Sequence, residues 1–226
     1  MGAITHYIEK AYASYGKPSP NKGNTIDLRG DSFDYCYSYF YRFYKENELN
    51  RLNASEKLET SCLQLAFYLA SWGMFRGSSF LLLKSSKSFA KIIELISREE
   101  TRVLWDIDVD KYSDENIKLL INFGKKIKEA FHPDKPTDTL VTKIMLGVFA
   151  NVPAFDRYFR EGFKSNKFDE KALHKIKKFY DENCSEIDNL SQKYKVHNFR
   201  SLEMELFYTK AKLIDMYGYS IGGGTI

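Results

Sequence analysis

The chain has 226 residues, 43% of them apolar and 28% charged, with a net charge of +4 at neutral pH. That length and balance bury a substantial core and exclude a disordered or low-complexity protein. No apolar run approaches the roughly 20 residues that span a bilayer, and MGAITHYIEKAY lacks the basic start and apolar stretch of a secretion signal, so a cytoplasmic protein without a membrane partner is expected.

Residues 3–14 predict a first helix, followed by a loop rich in glycine and proline as far as Gly30. A second helix is expected over about 31–49. Phe33, Tyr37, Phe40, Tyr41 and Tyr44 share one helical face, and DSFD reads as a capping box with Asp31 as N-cap. The run YCYSYFYRFY also alternates with period two; the polar KENELNRL after it decides for helix. Further helices are predicted over 55–73, 87–104, 113–131, 138–150, 154–165, 169–183 and 201–218, with no sustained sheet and a loose tail, SIGGGTI. In 113–131, Ser113 caps an acidic start, and Ile117, Leu120, Ile121, Gly124, Ile127 and Phe131 form one face. The fold class is therefore all-α: a single multi-helix domain over 1–226, or two closely packed helical lobes. Cys36, Cys62 and Cys184 are far apart and odd in number, the pattern of buried free thiols in a reducing compartment.

Two segments carry candidate chemistry. In Ser71–Phe80, SWGMFRGSSF, two glycines permit close backbone approach around Trp72, Arg76, Ser78 and Ser79. An arginine and hydroxyls beside a tryptophan suit a phosphate or a base edge, and they equally suit a helix corner with Arg76 on carbonyls and Trp72 in the core. In Thr142–Phe163, TKIMLGVFANVPAFDRYFREGF, apolar residues from Leu140 to Phe149 recur at helical spacing, Asn151 and Pro153 stop that helix, and Asp156 opens the next. A carboxylate there gains from the first-turn N–H groups, so Asp156 is either a plain cap or a single catalytic carboxylate.

Lysines cluster on both sides of Asp156: Lys125, Lys126 and Lys128 before it, and Lys164, Lys167, Lys171, Lys175, Lys177 and Lys178 after it. They form either a patch for a polyanion or ordinary solvated helix faces. Asp215, amid Leu213, Ile214 and Met216, needs a partner, for which Arg76 or Arg157 is the expectation. His6, His132, His174 and His197 show no metal-ligand spacing, and the C-terminal glycines follow no strand, so neither a metal nor a nucleotide cofactor is predicted.

The segment from Thr142 to Asp156 resembles the catalytic core of the helix-hairpin-helix DNA glycosylase superfamily, in particular its diverged 8-oxoguanine-glycosylase-like branch. Thr142 to Phe149 match the motif helix, Asn151 to Pro153 the proline loop, and Asp156 the catalytic aspartate. The resemblance implies a core over about 113–165 and a monomer. It also implies double-stranded DNA with a modified or damaged base as partner, hydrolysis of the N-glycosidic bond, and an abasic product. Lys143, Thr142, Thr139, Lys135, Arg157 and Arg76 are then candidate DNA contacts, and Trp72, Tyr158 and Ser78 candidate base-pocket residues. The loop His132–Thr139 holds no glycine, unlike the family hairpin; Thr137, Asp138 and Thr139 would cap the helix and leave N–H groups for a phosphate. The loop before Asp156 is shorter than in the better-known members, so Lys143 does not align with the amine nucleophile of bifunctional relatives; it is expected at a phosphate or in solvent, and the resemblance then implies a monofunctional enzyme. Action on modified phage DNA in defence is one expectation. A non-catalytic helical module that binds nucleic acid or protein is the alternative.

Overall fold

A computed structural model describes residues 2–14, 30–199 and 203–223. Helices dominate: α1 (Ala3–Ser14), α2 (Asp31–Lys45), α3 (Leu58–Ser71), α4 (Ala90–Ile96), α5 (Asp114–Ala130), α6 (Asp138–Phe149), α7 (Arg157–Phe163), α8 (Glu170–Ser191) and α9 (Lys210–Ile221). One continuous apolar cluster joins them into a single domain. Its centre is α6, buried on every side from Leu140 to Phe149, which explains why its sequence is apolar all round and not striped. Helices α2, α3 and α5 pack around α6, while α1, α7 and α8 gather on α9. Gly147 lets α3 approach, because a Cβ there would strike the Tyr68 ring.

Several expectations are corrected. The predicted helix 87–104 is a 3-10 turn, the short α4, and a second 3-10 segment, Glu99–Asp106. The break has a local cause: Ser97 Oγ donates to Glu94 O at 2.8 Å, and Thr101 Oγ1 donates to Ile96 O at 2.8 Å, so hydroxyls take carbonyls that a continuing helix would use. Asp31 does not cap α2; Gly30 precedes the helix without a side-chain cap. Asp34, expected as the other half of the box, is fully buried and accepts Tyr208 Oη at 2.7 Å and the His197 N–H at 3.2 Å.

The predicted helix 201–218 also divides. Residues 203–207 form a strand, β2 (Glu203–Phe207), antiparallel to β1 (Lys195–His197), and α9 starts only after Thr209. Exposed Glu205 and Phe207 alternate with buried Leu206 and Tyr208, a strand period that the helical reading overlooked. Helix α8 runs past 183 to Ser191 across a kink at Asn183, whose side chain donates to Phe179 O at 2.8 Å. The three cysteines are free, but Cys184 is exposed. The glycine- and proline-rich loop up to Arg29 and the last residues of the tail lie outside the described residues.

Candidate active site

Helix α6 ends where Ala150 turns left-handed, at φ 51°. The loop beyond it is held by side chains. Asn151 Nδ2 donates to Leu104 O at 3.0 Å, and Tyr112 Oη donates to Asn151 O at 2.6 Å. Thr209 Oγ1 donates to Ala150 O at 2.6 Å. Thr139 Oγ1 donates to Phe155 O at 2.8 Å, while Thr142 Oγ1 accepts the Phe155 N–H at 2.8 Å. The Ala154 N–H donates to Asp215 Oδ1 at 2.9 Å. Asp156 thus arrives in fixed backbone at the N-cap of α7, where its Oδ1 accepts the Phe159 N–H at 3.0 Å.

The other face of Asp156 looks into a narrow cleft between α3, α6 and α9, lined by Tyr68, Trp72, Lys143, Ala154, Lys212 and Asp215, with Leu146 and Tyr219 completing its walls. Lys143 is only 6% exposed; its Nζ donates to Trp72 O at 2.9 Å and lies 3.8 Å from Asp156 Oδ2. Lys212, 3% exposed, donates to Asp215 Oδ2 at 3.0 Å and lies 4.6 Å from the Phe33 ring centroid. Two ammonium groups and two carboxylates therefore share one nearly dry space. Burial raises the Asp156 carboxyl above its ordinary range and the nearby Asp215 charge adds to the rise; Lys143 and the N–H groups of Phe159 and Tyr158 oppose it without cancelling it. Burial also holds the Tyr68 phenol far above its ordinary value, reinforced by the charges of Asp215 and Asp156, so it remains a neutral donor. A buried ion cluster of this kind is weak support for stability in itself, because desolvation offsets attraction. Perturbed carboxylates in clefts mark candidate reactive sites.

The space between these groups is about 10 Å³, room for one water and no more.

The structure brings Asp156, Lys143 and Trp72 together and scatters the other sequence candidates. The Thr142 and Thr139 hydroxyls face the 150–155 loop, which corrects their expected role at a DNA backbone. Lys143 is buried in the cleft beside Asp156, which corrects the expectation of a solvent-exposed lysine. Asp215 pairs with Lys212, three residues before it, and not with Arg76 or Arg157. Lys135, Arg157, Arg76 and Ser78 are exposed outside the cleft; Arg157 pairs with Glu161 at 3.0 Å, and Arg76 folds over Gly73. Tyr158 packs edge-on against Tyr219 at 5.0 Å, beside the cleft. At the start of α6, Thr137 caps Leu140 N at 3.3 Å, and Asp138 accepts Phe168 N at 3.0 Å and pairs with Lys128 at 2.6 Å. A carboxylate in that first turn already answers the helix dipole, so the terminus is a poor phosphate site.

Lys212, Tyr68 and Tyr219 were not singled out in the sequence. For Lys212 a signal existed: like Asp215, it sits in an apolar run, at the i,i+3 spacing that puts both on one helix face. No family model matches the chain, and neither does any curated protein or solved structure.

Proposed function

We propose that the protein is a DNA glycosylase with Asp156 as its catalytic carboxylate. The observation that carries this reading is the placement of a desolvated carboxylate, fixed at a helix N-terminus, against buried ammonium groups and aromatic walls. In the reaction, the bonding electrons of the glycosidic C–N bond leave with the base and positive charge develops on the sugar. Asp156 stabilises that charge; water then adds its hydroxyl to the sugar carbon, and its remaining proton passes by way of Asp156 or solvent to the departed base, which ends neutral. Lys143 holds Asp156 in place and offers its ammonium to the departing base. The closed cleft admits only water, so base entry requires its walls to part. Trp72 stands at a corner whose Gly73 and Gly77 take φ of 75° and 61°, turns that glycine adopts without strain.

The test is incubation with DNAs carrying different damaged or hypermodified bases, followed by hot alkali. Breaks that need both alkali and Asp156 are expected, and Asp156→Asn should lose them while keeping its fold, because asparagine also caps helices. Undiminished cleavage by Asp156→Asn would refute the assignment. A second reading is favoured by Lys143, whose Nζ lies 3.8 Å from Asp156: an amine that attacks the sugar and nicks the strand. Borohydride reduction would then trap protein on DNA, and Lys143→Met would abolish the trapped species.

A further inference from the structure

A second concavity, of about 340 Å³, opens between the C-terminal end of α7, the first half of α8 and the last turns of α9. That volume falls in the range of small-ligand sites. Its floor is aromatic. The Phe179 and Tyr217 rings stack at 4.9 Å and 24°, and Phe163 meets Phe179 edge-on at 5.2 Å. Phe163 is buried, whereas Phe179 and Tyr217 are half-buried and line the opening. The rim carries Lys164, Lys175 and Lys178 against one carboxylate, Glu182. Glu182 lies 3.8 Å from Lys178, and Lys175 Nζ reaches the Lys164 carbonyl at 3.5 Å, so the groove offers an excess of positive charge beside a stacked aromatic pair. Lys164 itself is held left-handed, at φ 48°, a conformation that glycine adopts far more readily.

We propose that this groove binds one nucleotide, with its base on the outer Phe179 face of the Phe179–Tyr217 stack and its phosphate against Lys164 and Lys175. Aromatic faces accept any base by stacking, and ammonium groups take a phosphate as point charges without fixed geometry. Two sources supply that chemistry: an unpaired nucleotide of a strand, or a free mononucleotide. Only the strand source rests on the glycosylase reading; the eight residue steps from Asp156 to Lys164 span about 12 Å along α7, within reach of a flanking nucleotide.

Anisotropy of a short labelled oligothymidylate, with thymidine monophosphate as competitor, tests the proposal. Phe179→Leu keeps apolar volume but removes the flat face and should weaken binding about tenfold. Lys164→Gln with Lys175→Gln should lower the slope of log affinity against log salt by about 1.4. Competition by thymidine monophosphate assigns the groove to free nucleotides as well as strands; binding of the oligonucleotide alone assigns it to strands. Wild-type affinity and salt slope in both variants, or no binding of either probe by wild type, overturns the groove. The alkali assay separates the two ideas: base excision that persists in groove variants with unchanged oligonucleotide binding sinks only the groove, whereas binding lost in those variants without any excision sinks only the glycosylase.

Discussion

Gly162→Ala should destabilise the protein, although the same change in an exposed helix would gain about 1 kcal/mol of helix propensity. Helices α7 and α9 meet at Gly162, Gly218 and Gly222, where their backbones come into direct contact. A Cβ on Gly162 would overlap the Gly218 carbonyl oxygen, press on Ile221 Cγ1 at 2.7 Å and lie 3.2 Å from Gly222 N. Two of those three atoms are backbone and cannot rotate aside, so the helices must separate. Overpacking of a fitted core typically costs about 1–3 kcal/mol, and a backbone collision belongs at the upper end, so the net loss after the propensity gain is about 2 kcal/mol. For a chain of this size that lowers Tm by about 4–8 °C. Gly77→Ala provides the comparison: no atom lies within 4 Å of its Cβ, but φ is 61°, which costs about 1–2 kcal/mol. Urea and thermal unfolding measure both variants. The same separation would draw Asp156, just before α7, away from Asp215 on α9, so activity should fall with stability. A Gly162→Ala protein as stable as wild type would refute the close-contact argument.

Thr142→Val strands the buried Phe155 N–H and should cost about 1–3 kcal/mol in urea unfolding, without weakening DNA binding by the folded variant; weakened binding by protein that is still folded would restore Thr142 as a backbone contact. The raised Asp156 carboxyl places the acid limb of the kcat/KM profile above the ordinary carboxylate range, and Lys143→Met, by removing the opposing charge, should move it further toward neutrality; an unmoved limb would dissociate Asp156 from the rate. The stability linkage has the matching sign. The folded state holds this proton more tightly than the unfolded chain, so the contribution is greatest below the ordinary carboxylate range and falls as pH rises through the raised value. Asp156→Asn should flatten that part of the stability profile. Arg157→Gln breaks an exposed pair and should leave stability unchanged within error, while lowering the salt slope for duplex DNA by about 0.9; an unchanged slope would remove Arg157 from the DNA contacts.

Periodicity and caps made much of the helical framework legible. Ser113 and Asp156 accept the N–H groups of Asn116 and Phe159, as residues with short polar side chains before apolar runs should. The stop after Phe149 was written in Asn151 and Pro153. These features are local: a few neighbouring residues satisfy their own backbone, whatever the rest of the chain does. Pairings between distant segments were not legible. Nothing within α6 tells whether Lys143 faces water or the interior, because α6 is apolar all round and only the packing of α3 and α9 decides which side is dry. Asp34 reads as half of a capping box, but Tyr208 and the backbone of His197 claim its carboxylate from far along the chain. Strand β2 was hidden for a different reason: its partner β1 is the strand just before it, but both are too short for a period of two to stand out against the helical pattern that follows. The sequence by itself determined where the helices capped by Ser113 and Thr137 begin, and delivered Asp156 to a helix terminus, because those choices are settled by local hydrogen bonds and propensity. Only the tertiary structure decided that Lys143, Lys212 and Asp215 join it in one cleft, because burial of a charge depends on which distant surfaces close over it.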